Sequence, residues 1–159
     1  MADASKLGLI SADSHVNEPR DLWLNNLPAS LRDQAMQGIA QRGDGGWELV
    51  LDGHHIGKTG TSEEERLLVL QPEHRLAVLR DQGIAGECIY PTIGLYVWGL
   101  TDADGGQASC RIYNEWIHDQ LESRSPRFRC AGLVPTWRVD DALAEVAFIA
   151  DRGLAAVML

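Results

Sequence analysis

Cations are scarce in this chain: 14 lysines and arginines stand against 23 aspartates and glutamates in 159 residues, a formal charge of −9. No window gathers those few cations into a basic stripe. That excludes the electrostatic footprint of a nucleic-acid binder and argues against an anionic membrane surface as partner. Long apolar runs are missing too, since nothing approaches the roughly 20 residues that a membrane span needs. The opening MADASK has no apolar core of the kind a secretory signal carries. The expectation is a cytoplasmic protein with no membrane and no nucleic-acid partner. Cysteine is down to three, Cys88, Cys110 and Cys130. An odd count, wide spacing and no CxxC exclude a disulfide framework and a zinc knuckle, and Cys88 and Cys130 read as core thiols in strands.

What is present is an alternation of short apolar runs and helical periodicity, in a chain long enough for one domain with a core. Leu7 to Ala12 reads as a buried strand that breaks into Asp13, Ser14 and His15. Residues 24–71 follow as an insertion, with a short helix expected over Leu31 to Ala40. A hairpin is expected where Asp52-Gly53 separates Trp47–Leu51 from His54, His55 and Ile56. His54 and His55 cannot both aim at one ion from a regular hairpin, because neighbours in a strand face opposite sides. The segment from Gly57 to Leu70 is a candidate cover for a site.

Beyond it the pattern repeats. Pro72 suits a helix start and Gly83 a helix stop, a strand runs from Gly86 to Tyr90, and Pro91 closes it. Asp102 or Asp104 can cap a helix to about Ser123, with Tyr113, Ile117 and Leu121 on one ridge. Phe128 to Val134 is the next strand. Asp140 is expected to cap a third helix whose inner face is Leu143, Val146, Ala147 and Ala150, with Gly153 as its stop and a final strand from Leu154 to Leu159. Strand alternating with helix is the signature of parallel βα units joined by right-handed crossovers.

The chemistry concentrates near the first strand. Asp13 and His15, at i and i+2, share one face of a strand. A carboxylate oxygen and an imidazole nitrogen suit zinc, with manganese or iron as alternatives. The competing reading is turn chemistry, in which Asp13 or Ser14 accepts backbone hydrogen bonds.

The wording ISADSHVNEPRDLW resembles the opening of the amidohydrolase-related proteins grouped with amino-carboxymuconate-semialdehyde decarboxylase. Asp13, His15, Glu18, Pro19, Asp21, Leu22 and Trp23 carry the likeness. The YPT at 90–92, CRIYNEW at 110–116 and GLVPT at 132–136 extend it along the chain. The resemblance implies residues 1–159 as a single, incomplete (β/α)8-barrel domain of the metal-dependent-hydrolase type, with about four parallel strands and a hairpin-containing insertion after the first. It implies Asp13 and His15 as metal ligands in a hydrolase or non-oxidative carboxy-lyase for a small carboxylated or cyclic substrate. The active face of such a barrel lies at the C-terminal ends of its strands. That places Tyr96, Trp98, Trp137 and Arg138 as a possible aromatic and cationic wall, adds Arg20 as a substrate contact, and lets Glu18 orient His15. A closed barrel takes about 200 to 250 residues and eight strands. Four strands leave an open edge and an uncovered inner face, so the isolated chain is expected to self-associate and to lack most of the catalytic machinery.

Overall fold

The computed structural model describes residues 8–41, 47–51, 54–58 and 68–159, with 37–41, 47–50 and 55–58 given by the backbone alone. The strands are β1 (Ile10–Val16), β2 (Met36–Gln41), β3 (Trp47–Leu51), β4 (His54–Lys58), β5 (Gly86–Pro91), β6 (Phe128–Leu133) and β7 (Ala156–Met158). The helices are α1 (Leu22–Asn26), α2 (Pro72–Asp81), α3 (Ala103–Gln120) and α4 (Val139–Arg152), with 3-10 turns at Ala29–Leu31, Gly94–Gly99 and Glu122–Arg124.

Four strands form one parallel sheet in the order β1-β5-β6-β7. A helix lies between each later pair. This is the topology of the first half of a (β/α)8 barrel, with β1 and β7 unpaired on their outer sides among the described residues. The stretch between β1 and β5 carries a separate antiparallel sheet, β2-β3-β4. The expected hairpin is therefore β3–β4, paired through Val50↔His55 and Leu51↔His54, and its Asp52-Gly53 turn lies outside the described residues. So does most of the candidate cover segment, at 59–67. The helix expected over Leu31 to Ala40 is not there, because Met36–Gln41 pairs with β3 as a strand instead.

The helix signals resolve as local chemistry. Pro72 takes the first turn of α2, where its missing N–H is no loss, and Gly83, at φ +68°, lets the chain turn away afterwards. Asp102 caps α3 by accepting the Gly105 amide at 2.7 Å. Gly153, at φ +81°, ends α4 in the left-handed conformation that favours glycine.

The insertion is seated on the first half of α3 by polar contacts as well as by burial. Ser109 Oγ accepts the Met36 amide, its carbonyl accepts the Trp23 indole, and Ala35, Met36 and Trp23 are fully buried. A Cβ on Gly105 would stand 2.1 Å from the Gln34 carbonyl oxygen, so only glycine lets that loop approach. The core continues through Tyr113, Ile117, Leu121, Phe128, Ile89 and Leu133 between α3 and the sheet. Cys110 and Cys130 belong to it, and burial pushes both thiols well above their usual range. Cys88 is only half-buried.

α4 differs from its expected orientation. It begins at Val139, so Arg138 holds the N-cap position and Asp140 lies inside the first turn. Glu145 and Ile149 are its buried residues, whereas Leu143, Val146, Ala147 and Ala150 are exposed. The reversal has a polar cause. Glu145, fully buried, accepts from Arg111 Nε and from Asn114 Nδ2 at 2.8 Å, and Arg111 also lies 3.7 Å over the Phe148 ring.

Candidate metal centre

β1 does not break at Asp13. It runs on to Val16, and its register against β5 shifts between Ser11 and Ser14 through one extra residue, a bulge. Bulges re-aim side chains. Ser11 and Ser14 Oγ meet at 2.9 Å across it, and Asp13, within it, comes to His15, just past it, with Asp13 Oδ1 at 3.5 Å from His15 Nε2.

His15 is held at two points. Its Nδ1 lies 2.8 Å from the Pro91 carbonyl oxygen at the end of β5. A carbonyl can only accept, so Nδ1 carries the hydrogen and the neutral ring keeps a bare lone pair on Nε2. Its own carbonyl accepts from Arg75 Nη1 at 3.2 Å, while the same guanidinium grips Glu87 through Nε at 2.7 Å and Nη2 at 3.0 Å. α2 is thereby tied to the end of β1 and to the start of β5. The Tyr90 ring stands 6.0 Å from the imidazole, centroid to centroid.

Glu18 leaves β1 and reaches the turn after β5. Its carboxylate is fully buried and accepts three consecutive amides, Thr92 at 3.1 Å, Ile93 at 2.9 Å and Gly94 at 2.9 Å. Burial pushes its pKa above the usual carboxylate value, and the amides of Gly94, Ile93, Glu18 itself and Thr92 pull it back in part. Glycine at 94 makes the approach possible, since a Cβ there would lie 2.9 Å from both Leu133 Cδ1 and Pro91 Cβ, and 3.2 Å from Glu18 Oε1. Glu18, expected to orient His15, does not touch it: the Pro91 carbonyl makes the direct contact, and Glu18 is bound to the far side of that same peptide.

The remaining candidates go elsewhere. Trp98 donates its indole N–H to the Val134 carbonyl and Trp137 donates to the Leu100 carbonyl, both at 3.0 Å, so the two rings tie the turns after β5 and β6 to each other. Arg138 shares its exposed guanidinium between Asp104 and Asp141, and a substrate carboxylate would have to compete with both. Arg20 is buried, and Tyr96 is 48% exposed on the 3-10 turn. Tyr90 and the Pro91 carbonyl were not among the sequence candidates. The YPT motif marked their position without indicating their role.

The donor set suits a metal as far as it goes. Two ligands of a tetrahedral zinc ion, each about 2.0–2.1 Å from it, stand roughly 3.3 Å apart, close to the observed Asp13–His15 separation. The two side chains are open to a ligand, at 90% and 43% exposure. Among the described residues, no group of three histidines, cysteines, aspartates or glutamates gathers to complete a site. Two surface cavities among the described residues lie away from Asp13 and His15, one of about 410 Å³ beside Trp116 and Arg124, the other of about 450 Å³ beside Leu31 and Arg111.

The parallel sheet with its alternating helices defines the fold of half a (β/α)8 barrel, with an aspartate–histidine pair at the end of its first strand. Comparison with solved structures leads to particular proteins of that architecture. The chain superposes on an amidohydrolase, map2389c, from Mycobacterium avium subsp. paratuberculosis K-10, with a TM-score of 0.77 and 18% identity over 94% of this chain and 48% of that one. It also superposes on 2,6-dihydroxybenzoate decarboxylase from Rhizobium, with a TM-score of 0.54 and 14% identity over 94% of this chain and 37% of that one. A structure of that decarboxylase complexed with 2,6-dihydroxybenzoate gives a TM-score of 0.54 at 15% identity. The likeness is one of fold. The chain spans about half the length of the first of these proteins and less of the second. No family model and no curated protein matches the chain.

Proposed function

We propose that this chain supplies the N-terminal half of the barrel of an amidohydrolase-related enzyme, a metal-dependent hydrolase or non-oxidative carboxy-lyase acting on a small carboxylated or cyclic substrate. Asp13 and His15 are two of its metal ligands, with zinc the first choice and manganese or iron the alternatives. The observation that carries this reading is the pairing of a carboxylate with an imidazole Nε2 at 3.5 Å, on a strand end whose counterpart in a whole barrel faces the active site. When bound, such an ion activates a water or polarises a substrate oxygen. The chain's own residues hold the imidazole in the ligating tautomer and keep the strand ends in register. The neighbours named as an amidohydrolase and a decarboxylase support both reaction types equally.

Zinc titration of the purified chain, followed by a competing chromophoric chelator, is the test. The parent is expected to take up zinc weakly, and Asp13→Ala or His15→Ala each to weaken uptake by about tenfold or more. Equal affinity in the parent and in the double variant would refute the assignment. A second reading, association of half-barrels without catalysis, is favoured by the apolar residues left exposed on α4 and at both sheet edges.

A further inference from the structure

The Pro91–Thr92 peptide is held from both sides. It is trans, so its N–H and C=O point in opposite directions. The Thr92 N–H donates to Glu18 Oε1 at 3.1 Å, and the Pro91 oxygen faces His15 Nδ1 at 2.8 Å. One peptide unit therefore joins a fully buried carboxylate to the imidazole. Hydrogen bonds in series polarise one another, and an acceptor at the N–H end makes the carbonyl end a better acceptor in turn. The adjacent amides of Ile93 and Gly94 close on the same carboxylate, which prevents the peptide from rotating about its neighbours.

We propose that Glu18 is a positioning residue for His15, acting through the Pro91–Thr92 peptide to keep the hydrogen on Nδ1 and the lone pair on Nε2 turned toward Asp13. Metal-binding histidines commonly receive this service from a carboxylate or a carbonyl in direct contact. Here the two are coupled in series. A Cβ at 94 would crowd Leu133, Pro91 and Glu18 Oε1, and glycine leaves that space free. The consequence for metal binding rests on the reading of Asp13 and His15 as ligands, whereas the tautomer itself does not.

Two-bond 1H–15N correlation spectra of the metal-free chain report which nitrogen of His15 is protonated, with His15→Gln used to assign its signals among the five histidines. The parent is expected to show Nδ1–H alone. In Glu18→Gln an NH2 group replaces one oxygen, opposing the Ile93 N–H in one orientation or those of Thr92 and Gly94 in the other, and in both the carboxylate that polarises the peptide is gone. His15 is then expected to become a mixture of tautomers, and zinc affinity to fall by about 10- to 100-fold. Unchanged His15 signals in a folded Glu18→Gln chain would overturn the proposal. If that variant does not fold, an amide-to-ester replacement at Thr92 removes the one N–H and leaves Ile93 and Gly94 in place. The ester also makes the Pro91 carbonyl a weaker acceptor, so retention of the Nδ1–H preference there refutes the relay, and its loss supports the Pro91 contact through which the relay acts. Because the spectra are taken without metal, absence of zinc binding by the parent would overturn the proposed function and leave this result standing.

Discussion

At the scale of single residues the notable group is Glu18, a carboxylate placed where solvent cannot reach it and supported by backbone amides. Burial is the larger influence on its pKa, so the folded chain retains the proton at pH values where the unfolded chain, with a value near 4.5, has released it. The folded state then binds more protons than the unfolded state between 4.5 and the raised value, and unfolding free energy falls as pH rises through that window. Below 4.5 the contribution is fully present, and above the folded pKa it is lost. Glu18→Gln cannot titrate. Urea midpoints measured from about pH 4 to pH 7 should therefore show the parent losing stability relative to the Gln variant as pH rises, by roughly 1.4 kcal/mol for each pH unit crossed between the unfolded and folded values. Parallel curves would mean that the amides fully offset the burial.

At the scale of elements, the end of β6 is held by a side chain from α3. Asn114 accepts the Leu133 amide at 2.7 Å, donates to the Leu133 carbonyl at 2.8 Å and donates to the buried Glu145, which Arg111 also grips. It satisfies both backbone groups of Leu133 in a place where no water reaches them. Asn114→Ala would leave two backbone groups and a buried carboxylate short of partners at once. A loss of about 2–4 kcal/mol in urea unfolding is expected, with Glu145→Gln costing less because Asn114 keeps its backbone contacts. Equal losses in the two variants would place the energy in the ion pair with Arg111 and not in the strand end. The same network explains what sequence could and could not show about α4. Helix length and the Gly153 stop were readable from periodicity and glycine chemistry. The buried face was not, because hydrophobic pattern assigns a glutamate to solvent, and Glu145 is drawn inward by Arg111 and Asn114, turning Leu143 and Val146 outward. Likewise the pairing of Asp13 with His15 followed from i, i+2 spacing within one strand. The bulge at Ser11–Ser14 and the Pro91 carbonyl, 76 residues from His15, depend on which strand lies alongside, and a single stretch of sequence does not contain that information.

At the scale of the whole molecule, four parallel strands leave two different open edges among the described residues, and α4 presents apolar residues outward. Val139 and Leu143 are 75% and 63% exposed, and with Val146 and Ala150 they recur at i, i+4, i+7 and i+11, one stripe along α4. Leu9 and Ile10 are exposed beside the β1 edge, and Val157 and Leu159 beside the β7 edge. Each square ångström of that apolar surface left in water costs about 25 cal/mol, and an unpaired strand edge offers N–H and C=O groups to any chain that meets it. With a formal charge of −9 the chains repel one another at low salt, so association should strengthen as salt screens that charge. Sedimentation velocity across a concentration series is expected to show growing species, more of them at about 0.5 M salt than at 0.05 M. The pair Leu143→Lys and Val146→Lys separates stripe from edges. It should reduce association without altering helix content or zinc affinity if the α4 stripe is the contact. Undiminished association in that variant would assign the contact to the β1 and β7 edges, where a proline at Val157 would be expected to block it by removing an edge N–H.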